Sequence, residues 1–160
     1  MTPAETLTFG PMRTSQDAAA FRALNEEWIS QIFSLEPEDI RLLGDPQTHI
    51  IGRGGQVYLA RLGERVVGCA ALVPVQGGVF ELSKMSVDPT LRGQGLGRKL
   101  LEYVMAQAPA LGAASLFLGS STKLPNAVRL YESLGFLHFP PERRPDLPYV
   151  RADVFMEKVL

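Results

Sequence analysis

The sequence predicts an α/β fold built on a mixed sheet, with elements in the order β-α-α-β-β-β-α-β-α-β-β. Three observations lead there. Apolar residues recur at helical spacing on both sides of a central region. From Gln56 to Val87 that spacing gives way to short extended runs separated by glycine turns. Beyond this meander, strands alternate with helices, which calls for helices on both faces of a sheet that is not purely parallel.

Thr6 to Met12 reads as a first strand, and Thr14-Ser15-Gln16-Asp17 as a capping box. Phe21, Leu24, Trp28, Ile29 and Ile32 then mark one face of a helix over about Asp17 to Phe33. Pro37 suits a first helical turn, and Glu38 and Asp39 suit the positive end of a helix dipole. This second helix ends near Gly44-Asp45-Pro46, and the residues through Gly55 read as loop. Strands follow over Val57 to Arg61, Val66 to Val73 (closed by Pro74) and Val79 to Val87. Leu96, Leu100, Leu101, Val104, Met105 and Ala108 share a helix face, and Pro109 and Gly112 stop that helix. Ala113 to Leu118, apolar but for Ser115, reads as a short strand in the buried middle of a sheet. Pro125 to Leu134 reads as a helix capped by Gly135, and Phe136 to Phe139 as a strand. A loop through Pro140, Pro141, Pro145 and Pro148 leads to an alternating last strand, Val150 to Val159.

A chain of 160 residues suits a single domain, expected to span residues 1–160. The formal net charge of −1 gives no footing for sequence-independent nucleic-acid binding. Cys69, the one cysteine, lies in an apolar run and reads as a buried, inert thiol in a reducing compartment. The opening residues show no secretory pattern, and no stretch approaches the ~20 apolar residues that span a bilayer. A cytoplasmic protein without membrane contact is the expectation. His49 and His138 stand alone, so no metal site is expected.

The stretch "DPTLRGQGLGRKLLEYV", Asp88 to Val104, raises the question of function. It places Gly93, Gly95 and Gly97 at a helix start beside Arg92, Arg98 and Lys99. Amides at a helix start have no internal acceptor and carry partial positive charge. Residues without side-chain bulk let an oligophosphate approach them. A dinucleotide fingerprint beginning at Gly93 fails because its third glycine position is Arg98, and the Walker A spacing is absent.

The pattern R-x-x-G-x-G does fit, as Arg92, Gly95 and Gly97, preceded by Met85-Ser86-Val87-Asp88-Pro89. Here the sequence resembles the GNAT superfamily of acyl-CoA-dependent N-acetyltransferases. "AVRLYESLGF", Ala127 to Phe136, is similar to the family segment on the helix after the fifth strand, with Tyr131 at the tyrosine position. The element order matches the family's across essentially the whole chain. Many members have an asparagine seven residues before that tyrosine. Here the position is Leu124, which leaves the pantetheine contact to Asn126 or to Ser120, Ser121 and Pro125.

The resemblance implies a GNAT-like fold with acetyl-CoA as co-substrate, held in a V-shaped gap between the fourth and fifth strands. The diphosphate would rest on the loop of Arg92, Gly93, Gln94, Gly95, Leu96, Gly97 and Arg98. The pantetheine would pair with main chain at Met85, Ser86 and Val87, and an N–H near Met85 would polarise the thioester carbonyl. Tyr131 is the candidate acid for the departing thiolate, and Glu81, among apolar neighbours on the fourth strand, the candidate base. Lys84 shares parity with Leu82 and Ser86 and is expected to face the acceptor pocket. With Arg151 it would suit an acceptor bearing a carboxylate or phosphate, and Tyr149 borders the same site. The reaction expected is acetyl transfer to a primary amine of a small or amino-acid-like molecule, by direct attack in a ternary complex. The alternatives are an acyl-CoA sensor without turnover and an acetyltransferase for protein N-termini or lysines. Strand edges near the C-terminus make a homodimer an open expectation.

Overall fold

The computed structural model describes residues 6–143 and 150–160. Its strands are β1 (Leu7–Pro11), β2 (Gln56–Leu62), β3 (Arg65–Gln76), β4 (Val79–Val87), β5 (Ser115–Ser120), β6 (Leu137–His138) and β7 (Val154–Val159). Its helices are α1 (Ser15–Ile32), α2 (Pro37–Gly44), α3 (Pro46–His49), α4 (Leu96–Gln107) and α5 (Pro125–Ser133). The strands form one seven-stranded sheet in the order β1-β2-β3-β4-β5-β7-β6. β1 to β4 meander antiparallel. β4 and β5 are parallel, with α4 in the crossover between them, and β7 inserts antiparallel between β5 and β6. This is the mixed α/β architecture that the sequence predicts.

The sheet separates two apolar layers. On one face Leu96, Leu100, Leu101 and Val104 of α4 pack with Tyr58, Leu72, Phe80 and Leu82, and α5 adds Leu130 and Tyr131. On the other, Phe21 of α1 and Leu42 and Leu43 of α2 pack with Val57, Leu59, Cys69 and Ala71. Leu100 and Leu101 are fully buried, and truncating either to alanine should cost about 2–5 kcal/mol. Among the described residues, no helix is long and apolar enough to cross a membrane.

The start of α1 is fixed twice over. The Thr14 hydroxyl accepts the Asp17 N–H at 3.0 Å, and Asp17 Oδ2 accepts the Thr14 N–H at 3.2 Å, completing a capping box. Both Asp17 oxygens also accept from Arg61 of β2, at 2.9 Å each, which pins the helix end to the sheet.

Three expectations need correction. Residues 46–55, read as loop, contain α3 and a 3₁₀ turn at Ile51–Arg53. Pro46 occupies the first helical turn, and the Asp45 side chain caps the Thr48 N–H at 3.1 Å. Pro74 does not close its strand. β3 runs to Gln76, and a register shift between Pro74 and Gln76 absorbs the proline that cannot donate to the ladder. The last strand begins at Val154 instead of Val150. Val150 is 95% exposed, and its N–H is taken at 2.9 Å by the Glu36 carboxylate rather than by a strand. Tyr149, Pro145 and Pro148 lie outside the described residues.

Candidate active site

The β4–β5 ladder is short. It joins Val79 to Ser115, Phe80 to Leu116 and Glu81 to Phe117, and stops. Beyond that point β4 continues to Val87 beside β3 alone, and β5 runs on to Ser120 beside β7. The two strands diverge around a cleft of about 380 Å³. Residues Glu81 to Val87 form one wall, Gly119 to Ser121 the other, and Tyr131 of α5 lines it too. Trp28 and Phe33, from the end of α1, line it as well.

β4 is irregular at this wall. Cys69 pairs with Ser86 and Ala71 with Ser83, so two steps on β3 face three on β4. Lys84 sits in the extra step with φ at +55°, and it is the one non-glycine residue with positive φ among those described. The bulge exchanges faces. Phe80 and Leu82 lie with Met85 and Val87 in the α4 layer, while Lys84 and Ser86 turn to the helices opposite. The parity argument that paired Lys84 with Leu82 therefore fails, although Lys84 does border the cleft.

Its ammonium is committed there. Lys84 Nζ lies 2.7 Å from Asp39 Oδ1, with the two side chains 3% and 0% exposed. Asp39 also accepts the Glu36 N–H at 2.8 Å and both terminal nitrogens of Arg151. Arg151 reaches on to Glu36 at 3.2 Å. Burial opposes ionisation of Asp39, but the hydrogen bond from Arg151 and the charge of Lys84 win and bring its carboxyl to about 2. Burial likewise pulls the Lys84 ammonium below the usual lysine range, with Asp39 opposing. Both cations expected to serve an acceptor thus share the one buried carboxylate of Asp39.

Tyr131 is half-buried, and its hydroxyl donates to the Met85 sulfur at 3.8 Å, across the α5–β4 contact. Burial pushes this hydroxyl up to about 12, so it stays protonated at neutral pH. Glu81 lines the cleft from the last rung of the β4–β5 ladder. Asn126 also lines it, with its side-chain oxygen accepting from Arg129. The Ser86 hydroxyl donates to the Leu24 carbonyl at 3.1 Å, which leaves main chain as its contribution to the wall.

The glycine loop divides by role. Gly95 is the N-cap of α4, at φ +77°, without a side-chain cap, and Gly93 sits at φ +81°. Around either, a Cβ would meet nothing within 4 Å. The first ladder bond after them is Lys99 N–H to the Gly95 carbonyl, so the amides of Leu96, Gly97 and Arg98 open toward that space. Exposed Gln94 lies between the two glycines, and Arg92 lines the cleft. This open, bulk-free helix start fits a diphosphate. Gly97 is different. A Cβ there would lie 3.3 Å from Met85 Cε, so its smallness serves the packing of α4 on β4. The Leu96 side chain is in the core, and Arg98 binds Ser133 at 2.8 Å and Glu102 at 3.0 Å. Leu96 therefore offers an anion only its main-chain amide, whereas the exposed Arg98 guanidinium is shared with Ser133 and Glu102.

Asp39, Trp28 and Phe33 escaped sequence reasoning as site residues. Asp39 resembles any acidic residue of a first helical turn, and its partner is 45 positions away.

The family model for the acetyltransferase (GNAT) family matches residues 19–136. The IAA acetyltransferase of Azospirillum brasilense is 34% identical over 148 residues, covering 91% of this chain and 92% of that protein. An acetyltransferase of the GNAT family from Staphylococcus aureus Mu50 superposes with a TM-score of 0.84 at 21% identity, over 97% of this chain and 99% of the other. YncA of Salmonella typhimurium, solved with its cofactor acetyl-CoA, superposes at 0.75 with 22% identity, over 96% and 94%. The match of the family model over most of the chain, the full-length relative and the splayed β4–β5 pair agree: this protein belongs to the GNAT acetyltransferase family.

Proposed function

We propose that the protein acetylates the primary amine of a small molecule, by direct attack of the amine on acetyl-CoA within one ternary complex. Acetyl-CoA-dependent N-acetyl transfer goes with the family; the acceptor and the residue roles are our reading. The observation that carries it is the divergence of β4 from β5 after Glu81↔Phe117, with Tyr131 on one side of the opening and Glu81 at its base. A cleft of about 380 Å³ that must also take the pantetheine arm leaves room for a compact acceptor.

In this reading the amides from Arg92 to Gly97 hold the diphosphate, and main chain at Met85 and Val87 pairs with the pantetheine as a strand would. Asn126, which lines the cleft, would contact that arm. Acetyl-CoA supplies an activated acyl group. Glu81, directly or through a water, takes a proton from the acceptor ammonium, because only the free amine attacks. The C–N bond forms as the C–S bond breaks, and the nitrogen sheds a second proton. Tyr131 gives its proton to the departing sulfur and recovers one from solvent, so each turnover releases one proton. Arg151, which lines the cleft beside Phe33, would border the acceptor.

Thiol release from acetyl-CoA tests this against a panel of small amines, amino acids and peptides with free N-termini. Turnover with small amines above that with peptides is expected. Turnover confined to peptides would replace this acceptor class with protein N-termini or lysines.

A further inference from the structure

We propose that the buried Lys84–Asp39 ion pair sets the bulge of β4 and, through it, the aim of the Met85 amide. The inference rests on the acetyl-CoA placement proposed above. In a regular strand residues 80, 82, 84 and 86 share one face. Phe80 and Leu82 face the layer of Leu100, Leu101 and Val104, so an unbulged β4 would carry the Lys84 ammonium into apolar packing. The extra step in β4 avoids that. It sends the ammonium to the opposite face, where Asp39 waits 2.7 Å away.

Asp39 is prepared for it. The Glu36 N–H and the Arg151 guanidinium hold its carboxylate in place from two directions. A left-handed φ is unfavourable for lysine, and the ion pair supplies the offsetting interaction. Selecting one register over another is the best-attested use of a buried charge pair. Here the rejected register places lysine among leucines, and the selected one places it on Asp39.

The bulge also orients a peptide plane. The Cys69 thiol, on the α1–α2 face of β3, donates to the Lys84 carbonyl at 3.5 Å, so that carbonyl points toward that face of β3. In a trans peptide the next N–H points the opposite way. The Met85 N–H is thereby aimed at the side where β5 has left the ladder, the side proposed for the thioester. Lys84 acts through this main chain, so it is a positioning residue.

Two substitutions separate the ion pair from the backbone it shapes. Lys84→Met keeps the bulk, loses the charge and suits the apolar layer, so the regular register becomes available. Lys84→Gly also loses the charge but holds a left-handed φ readily. Lys84→Met is expected to lower kcat at least tenfold and to weaken acetyl-CoA binding by calorimetry, because the main chain at Met85 and Val87 turns with the register, with acceptor KM unchanged. Lys84→Gly is expected to exceed Lys84→Met in kcat by tenfold or more. Carbon-13 main-chain shifts of residue 84, read without acetyl-CoA, should report a left-handed backbone in the parent and in Lys84→Gly and an extended one in Lys84→Met. If Lys84→Met does not fold, Asp39→Asn takes its place, with loss of the left-handed signature expected; because that change also loosens Arg151, the shifts and not the kinetics decide there. A left-handed signature and kcat retained within twofold in Lys84→Met overturn the proposal. Equal losses in the two Lys84 variants overturn it too, by assigning the ammonium itself to the reaction. Failure of the parent to bind acetyl-CoA would instead remove the underlying reading, and the shift measurement would still decide the bulge.

Discussion

Arg151 grips Asp39 with both ends of its guanidinium, Nη1 to Oδ2 at 2.6 Å and Nη2 to Oδ1 at 2.7 Å. One residue comes from the turn before β7 and the other from the first turn of α2, so the pair fastens the two turns together beside the side of the cleft proposed for the acceptor.

Removing this clamp should act on acceptor binding. Arg151→Ala is expected to raise the acceptor KM about tenfold, on the scale of one charge-assisted contact, and to leave acetyl-CoA binding unchanged. Arg151→Lys should recover little, because one ammonium cannot span both Asp39 oxygens. Steady-state kinetics with each substrate varied in turn, plus calorimetry for acetyl-CoA, checks both expectations.

Much of this was legible because local chemistry decided it. Thr14 and Asp17 announce a capping box in sequence, and the structure forms it. Period-two runs mark the meander, and Gly93 and Gly95 occupy the positive-φ positions that glycine suits. What stayed hidden depended on distant partners. Lys84 changes face because Asp39, 45 positions away, receives it. Alternation from Val150 suggested a strand, but Glu36 takes the Val150 N–H and delays β7 to Val154. Gly97 sits in a phosphate-loop pattern, yet its smallness answers to Met85. Pro46 marked the edge of a loop, but beside the Asp45 cap it opens a short helix.

Tyr131→Phe should separate chemistry from binding. The hydroxyl, pushed up to about 12 by burial, is a proton donor throughout the ordinary assay range. Losing it should lower kcat about 10²-fold, within the range for a general acid. Acetyl-CoA affinity should hold, because the ring and its packing on Phe136 remain. An alkaline limb of the parent pH–rate profile below about pH 11 would then belong to another group. Thiol-release kinetics across pH 6 to 10 and calorimetry supply both measurements.

Glu81→Gln should show a deficit that depends on pH. At neutral pH nearly all of a primary amine is ammonium, and the variant lacks the group proposed to deprotonate it. A loss of about 10²-fold in kcat/KM is expected there. As pH approaches the amine's own pKa, free amine arrives without help, and the gap to the parent should narrow. A constant deficit across pH would assign Glu81 to positioning.

The two kinds of glycine in the loop predict opposite readouts. Gly95→Ala forces a Cβ onto a left-handed N-cap, which should cost about 1–2 kcal/mol of stability. The added methyl also faces the space proposed for the diphosphate, so acetyl-CoA affinity should drop about tenfold or more. Gly97→Ala crowds the flexible end of Met85 at 3.3 Å and meets Leu130 and Val87 at ordinary contact distance, and its backbone needs no left-handed angle. Its cofactor affinity should stay within threefold of the parent. Thermal unfolding and calorimetry on the pair distinguish an anion cradle from a merely tight turn.

Acid stability should depend on Asp17. The hydrogen bond from Arg61 lowers its carboxyl from 3.8 to about 2, with the Arg13 and Thr14 amides helping against burial. As pH falls, the unfolded chain binds the proton first, so protons favour unfolding between those two values. The stabilisation is fully present above about pH 4 and is lost as pH drops through about 2. Its size is about 2 kcal/mol, and at this chain length that is roughly 4–8 °C in Tm. Asp17→Asn removes the charge but leaves an amide that still caps the helix. It should therefore lie below the parent by about that margin at pH 7 and converge with it at pH 2. Calorimetric unfolding of the two proteins from pH 7 to pH 2 tests this. A gap that persists undiminished at pH 2 would mean that the shape of Asp17, and not its charge, holds α1 to β2.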